Sequence, residues 1–296
     1  MRATAQRPGS APIHGLLARI AHDILTDRAN LPSMPNVALS IRRSMRQPDC
    51  SAASVARAIK ADPGTTAYLV RIANSALYRG AAAIEGVENA VVRLGLETTR
   101  NLVTAYALRA MFRTKSEAVN QVMQTTWRAS ALRAALSSVI ATHCRTGDPD
   151  RAMLAGLLQD IGILPLLRAI DARGPQPDIA QLENTLGAFA SKVGVMLLEH
   201  WGFEDDMIEV ARSRKDWCRD PGPDADLADV VLIARLHAGV GTPEMHEAPR
   251  INAVPAYGKL PLGDVGPDES LAFLREADAE VRELMQILGV TRRSAR

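Results

Sequence analysis

The chain has 296 residues, of which 47% are hydrophobic and only 4% aromatic, with a formal net charge of +2 at pH 7. That length can bury a large core, and an Ala- and Leu-rich, aromatic-poor composition favours packed helices over sheet sandwiches. So small a net charge gives no electrostatic footprint for nucleic acid, and with only five of the 35 basic residues being Lys, the Arg bias reads as GC-rich coding rather than as a patch built for phosphates.

Residues 1–14 carry Pro, Ser and Gly and read as a flexible leader. A first helix follows in HGLLARIAHDIL, with Leu16, Ile20 and Ile24 on one face. LPSMPNVALSIRRSMRQ begins as a Pro-punctuated loop and becomes helix near Asn36, a candidate N-cap. Ser51 and Ser54 open the next helix, which Asp62-Pro63 ends; TTAYLVRIANSALY predicts another running to Gly80. IEGVENAVVRLGL then leads into ETTRNLVTAYALRAMF, where Leu102, Val103, Tyr106, Ala107, Ala110 and Met111 form a single apolar stripe.

The polar stretch TKSEAVN at 114–120 suits an inter-lobe joint. Beyond it lie a long helix ending in ATHC and the segment RAMLAGLLQDIGILPLLRAI, predicted to break near Gly162 or Pro165. After the turn GPQPD come three more helical segments, NTLGAFASKVGVMLLEHWGF, DDMIEVARSRKDW and DADLADVVLIARLHAGVG. Residues 242–267 are rich in Pro and Gly and read as a wrapping or mobile segment. DESLAFLREADAEVRELMQILG is a last amphipathic helix, and TRRSAR a basic tail expected to be disordered. Nothing reads as a strand.

Three cysteines, at 50, 144 and 218, share no CxxC spacing, so neither a disulfide framework nor a structural zinc site is expected, and a reducing cytosol is. The first 13 residues lack a signal-peptide core and no run of about 18 apolar residues appears; a cytoplasmic chain with no membrane partner is the expectation. GxxxxGK, GxGxxG, GxSxG and HExxH are all absent. The one literal His-Asp pair, His22-Asp23, reads as the solvated face of the first helix, and His200 and His237 as structural. ASVARAIKADPGTTAYLVRIANSAL and RLGLETTRNLVTA have helix-turn-helix spacing, but ordinary helix packing around a Pro or Gly turn is the commoner cause.

GLLQDIG at 156–162 raises the sharpest question. A helical metal site would pair Asp160 with an imidazole, yet the neighbour is Gln159, whose neutral amide is a poor ligand.

LPSMPNVALSI, IKADPGTTAYLVRIANSALY and VENAVVRLGLETTRNLV, followed by Trp127 and Ser130, GLLQDIG and KVGVMLLEHWGF, resemble the HDOD family (HD-related output domain). The resemblance covers about residues 15–240 and implies an all-helical signalling domain related to HD phosphohydrolases, commonly without demonstrated enzymatic activity. In HD-type sites His-Asp would stand at 159–160, so Gln159 departs and Asp160 remains. The other ligand positions fall on Ala129, Ala190, the pair Arg214-Lys215 and Arg235, none an imidazole. One carboxylate does not hold a transition ion. A buried Asp160 left without metal must then find a cation, and Arg235 is the first choice.

The chain is therefore expected to be all-α and two-lobed: a leader at 1–14, an N-terminal bundle at 15–118, an HD-like lobe at 119–240, an extension with a final helix at 241–290, and a tail at 291–296. The expected function is non-catalytic regulation through signalling-protein contacts, tuned by a small-molecule ligand, with no cofactor, metal or catalytic residue and no nucleic acid. Two alternatives stand beside it, a metal-dependent HD-type phosphohydrolase and a DNA-binding regulator; the second needs a basic surface on residues 51–109. Arg71, Asn74 and Ser75 of RIANSALY are the family-signature residues, read first as a packing and loop-anchoring group and second as an interaction site.

Overall fold

Helix boundaries follow the capping chemistry of the chain. The computed structural model describes residues 10–26, 31–173, 179–246, 248–262 and 276–290, and every regular element in them is helical. The first lobe is built from α2 (Asn36–Met45), α3 (Ala52–Lys60), α4 (Pro63–Ala73), α5 (Val87–Leu94) and α6 (Leu96–Met111). Ser51 and Ser54 close a reciprocal capping box on α3: Ser54 N–H donates to Ser51 Oγ at 3.2 Å and Ser51 N–H to Ser54 Oγ at 3.0 Å. Asp62 caps α4 by accepting from Thr65 N–H at 3.1 Å, with Pro63 at the first helical position where no N–H is needed. Asn36 is not a cap; it is already helical, and Pro35 holds the cap position without a side-chain bond.

Two further expectations for this lobe are corrected. α4 ends at Ala73, well short of Gly80, because Asn74 turns its side chain back on the chain. Its amide donates to the carbonyls of Val70 (3.0 Å) and Ile84 (2.7 Å), and its carbonyl oxygen accepts from Ile84 N–H at 2.9 Å. The single stripe on α6 is also too narrow a description. Asn101, Thr104, Ala105 and Leu108 are buried as well, while Ala110 is exposed, so α6 is an internal helix packed by α2, α4 and α5 on one side and α8 on the other.

The second lobe holds α7 (Glu117–Cys144), α8 (Pro149–Leu158), α9 (Ile163–Asp171), α10 (Ile179–His200), α11 (Asp205–Arg212) and α12 (Leu227–Ala238). α7 is its spine, lying along α8 and α12, and its start at Glu117 shortens the polar joint. α1 (Ser10–Thr26) begins inside the stretch expected to be a leader, and it packs on α9 and α10 of the second lobe rather than within the first bundle. Residues 1–9, the GPQPD turn, the first part of the final helix and the basic tail lie outside the described residues.

Past α12 the chain makes two 3-10 turns, Pro243–His246 and Ile251–Ala253, and a short helix α13 (Pro255–Lys259), so the part of the 242–267 segment that is described is ordered structure. α14 (Asp278–Ile287) packs along α7, and Trp127 Nε1–H donates to Leu288 C=O at 3.1 Å. The buried apolar side chains form one connected cluster from Leu17 to Leu288. Contrary to the sequence reading, Pro149–Asp171 is long and apolar enough to cross a membrane; the stretch is two helices, almost wholly buried in this core. The lobes are joined through α8, where Asp150 accepts from Tyr78 Oη–H (2.5 Å) and Thr98 Oγ1–H (2.7 Å) of the first lobe.

Candidate functional site

The break in GLLQDIG is made by two close approaches. A Cβ at Gly156 would lie 2.7 Å from Ser137 Oγ and 2.9 Å from Ala134 Cα on α7, and a Cβ at Gly162 would run into Ala190 O and the backbone of Gly194 on α10. Only glycine lets α8 lie this close to α7 and the start of α9 this close to α10. Between them Gln159, Asp160 and Ile161 form a buried turn, with Gln159 1% and Asp160 4% exposed.

Three cations converge on that turn and a fourth stands beside them. Arg133, from α7, and Arg214, from the turn after α11, both pair with the Asp160 carboxylate. Arg235, from α12, reaches it through Nη1 at 3.2 Å from Oδ1 and donates to Gln159 Oε1 at 3.0 Å. Lys215 stands at the rim, 3.3 Å from Glu244 of the first 3-10 turn, and Glu244 also pairs with Arg235. The start of α12 is itself fixed by a capping box between Asp226 and Asp229, both bound by Arg219.

The electrostatics follow from burial. Burial works to raise the Asp160 carboxyl, but Arg133, Arg214 and Arg235 outweigh it and hold it well below the usual carboxylate range. Burial also dominates at Arg133 and, helped by Arg235 and Arg214 against the pull of Asp160, pushes its guanidinium down to about 10. Arg133 Nε and Gln159 Nε2 are buried polar atoms with no hydrogen-bond partner. In front of the cluster opens a cleft of about 290 Å³, walled by Val122, Ile163 and Leu186 and edged by Thr125, Thr126 and Ala129.

The structure thus brings together Asp160, Gln159, Arg214, Lys215 and Arg235, with Ala129 on the cleft wall. Ala190 is a buried packing residue whose carbonyl faces Gly162. The ion pair expected between Asp160 and Arg235 is present but shared three ways. Sequence reasoning missed Arg133 and Glu244. A signal existed for the first: Arg133 is the lone charge in the otherwise uncharged run from Ala129 to Ala141. Glu244 comes from the Pro-rich stretch, where no local pattern fixes direction. Arg71, Asn74 and Ser75 belong to the first lobe and not to this cluster; Arg71 lies over the Tyr68 ring at 5.8 Å.

These residues do not suit a divalent metal. A metal centre asks for several imidazole or carboxylate donors in fixed geometry, and here one carboxylate is wrapped in guanidinium groups. Among the described residues no group of three or more His, Cys, Asp or Glu is placed to hold an ion.

The helical lobe, with its helix break carrying one buried aspartate, defines an HD-like helical protein. The chain matches the HDOD domain family over residues 31–217, well over half its length, and belongs to that family. It is similar to a candidate metal-dependent phosphohydrolase from Shewanella amazonensis SB2B, with a TM-score of 0.76 and 27% identity, covering 93% of this chain and 98% of that one. An HDOD domain protein of unknown function from Geobacter sulfurreducens superposes with a TM-score of 0.62 at 21% identity, over 93% and 97% of the two chains. A candidate signal transduction protein from Marinobacter aquaeolei VT8 gives the same TM-score of 0.62 and 21% identity over 94% and 66%. The last two likenesses speak to fold alone. An uncharacterized protein of Treponema pallidum (strain Nichols) is 20% identical over 241 residues, 77% of this chain and 46% of that protein, so the chain spans under half the length of that curated relative.

Proposed function

We propose that this chain is a non-catalytic HDOD regulator that acts in the cytoplasm through contacts with signalling proteins. The observation that carries the reading is the neutralisation of Asp160 by Arg133, Arg214 and Arg235. On this reading Ala129, Gln159, Ala190, Arg214, Lys215 and Arg235 occupy the ligand positions of an ancestral HD site, and the cations have taken over the electrostatic task of the metal. A cation arriving at this site meets three fixed positive charges and a carboxylate already engaged, and among the described residues there none is placed to activate a water. Of the two stretches with helix-turn-helix spacing, the second does not favour DNA: α6, which would have to enter the groove, is internal, and Arg100 on it pairs with Glu97 and Glu204.

The test is elemental analysis of the purified protein together with assays on cyclic and generic phosphodiesters. The expected result is no stoichiometric metal and no hydrolysis. About one metal per chain, removed by a chelator along with a hydrolytic activity, overturns the reading. Capture of partners by crosslinking in the native cell then identifies the signalling contact.

A further inference from the structure

We infer that the cleft over Asp160 is a binding site for a small phosphate-bearing anion, recognised by Arg133, Arg214, Lys215 and Arg235. The inference rests on the non-catalytic reading above and supplies its input.

Charge balance is the first argument. Neutralising one buried aspartate takes one cation. The buried side chains at the cleft instead carry three cations, Arg133, Arg214 and Arg235, against two carboxylates among the described residues, the buried Asp160 and the half-buried Glu244, which Lys215 shares. A buried cation without a full matching anion is strongly unfavourable. A phosphomonoester carries about −1.5 to −2 at neutral pH and supplies the missing negative charge.

Donor geometry is the second. Arg133, only 3% exposed, keeps its Nε unpartnered while its Nη2 is used on Ser130 and Asp160. Guanidinium forks suit phosphate oxygens bidentately, and Lys215 at the rim adds a point charge beside Glu244. Burial depresses the Arg133 guanidinium, with Arg235 and Arg214 adding to it, and a bound anion stabilises the charged form that burial disfavours.

Shape is the third. A cleft of about 290 Å³ sits at the small end of ligand pockets. The cations line its floor and Thr125 and Thr126 its edge, while Val122, Ile163 and Leu186 offer an apolar wall. That combination suits a phosphate group carrying one compact apolar or ring substituent. A long polyanion does not fit it.

The experiment is calorimetric titration of the full chain with inorganic phosphate and with adenosine monophosphate, at constant ionic strength set by potassium chloride. Saturable binding of at least one probe at one site per chain is expected. Binding of inorganic phosphate alone identifies the free anion as the ligand class; tighter binding of the monophosphate identifies an ester seated on the apolar wall. Two rim variants test location without cutting into the buried cluster. Ala129→Glu, at an exposed position on the cleft wall, places a negative charge against the ligand, and Lys215→Met removes one positive charge. Each is expected to weaken binding about 10- to 100-fold, the loss of one charge-assisted contact, with an unchanged melting temperature in chloride. No saturable heat with either probe, or affinities unaltered in both variants, overturns the inference. The metal analysis above is independent of this titration. A metal-loaded, hydrolytic chain sinks the regulatory reading, whereas a metal-free chain that ignores phosphate sinks only the anion site.

Discussion

Asp160→Asn keeps the side-chain shape and removes the one charge on which three guanidiniums converge. At the 3.2 Å of the Arg235 contact, the Coulomb attraction is about 5 kcal/mol for an effective dielectric of ~20. Desolvation of each ion offsets several kcal/mol of that, so the attraction is not the net worth of the pair. Breaking a buried pair from one side costs about 3–5 kcal/mol, and the upper part of that range is expected here. The reason is connectivity: Arg235 retains Glu244, but Arg133 and Arg214 lose their only carboxylate partner among the described residues. Arg235→Met should be milder, about 1–3 kcal/mol, because Asp160 keeps two cations. Urea unfolding followed by Trp127, Trp201 and Trp217 fluorescence reads the second lobe, where all three tryptophans lie. With an m-value of about 3 kcal/mol/M the midpoint should fall by about 1.3–1.7 M. The pH dependence has a definite sign. Asp160 is held below its unfolded value, so its contribution is fully present above about pH 4 and is lost as pH falls through the folded value. The gap between wild type and variant should therefore be flat from pH 8 to 5 and close in acid. A gap under about 1 kcal/mol, or one that widens in acid, refutes the reasoning.

Asn74→Ala should cost about 1–2 kcal/mol in thermal or urea unfolding by removing the three bonds that pin the loop to Ile84; unchanged melting with lost signalling in cells would move Asn74 to an interaction role. Gly162→Ala drives a methyl into the α10 backbone and should lose about 3 kcal/mol or more, or fail to fold, whereas Gly15→Ala, with nothing within 4 Å, should be neutral or stabilising by up to about 1 kcal/mol. Similar melting temperatures for the two would contradict the close approach. Burial pushes the His237 imidazole down to about 4, so the unfolded chain takes up a proton first as pH falls. Stability should drop by up to about 3 kcal/mol between pH 6.5 and 4, and His237→Gln should flatten that part of the curve. Gln159→His should bind no metal by elemental analysis, since the new imidazole still faces three guanidiniums; uptake of about one ion per chain would count against the cation-replacement account.

Much of the fold was legible because its signals are local. Ser51 with Ser54 fixes a helix start, and Asp62-Pro63 the end of the same helix, within a few residues each, and the structure has both. What was misread depends on distant partners. α4 stops at Ala73 because Asn74 bonds to Ile84, ten residues on, while its composition would carry a helix further. α1 has the amphipathic face of any surface helix, and nothing in that face says whether it covers the first lobe or, as it does, the second. At the site, the burial of Asp160 was readable from its apolar neighbours, and Arg214 and Arg235 from the family resemblance. Arg133 escaped because the position compared was Ala129, one turn earlier on the same face of α7. The phosphate-suited Arg cluster was invisible to composition, since three guanidiniums among so many arginines leave no mark on a whole-chain count.

α8 links the two ends of the proposed mechanism. Asp150, in its first turn, is held by Tyr78 and Thr98 of the first lobe, and Asp160 lies just past its last turn at the floor of the cleft. Ten residues of helix separate them by about 15 Å, too short a rod to bend appreciably. Its near-complete burial and the glycine-permitted contact at Gly156 tie it to α7, so a shift of the Asp160 turn cannot be absorbed within α8 alone. An anion that draws Arg133, Arg214 and Arg235 towards itself loosens their hold on Asp160 and acts directly on the end of this rod. The first element to register that change is the Tyr78–Asp150–Thr98 junction between the lobes. On the proposed reading, a lobe whose old ligand positions hold cations keeps what a regulator needs: a charged cleft and a stiff helix running from it to the contact with the first lobe.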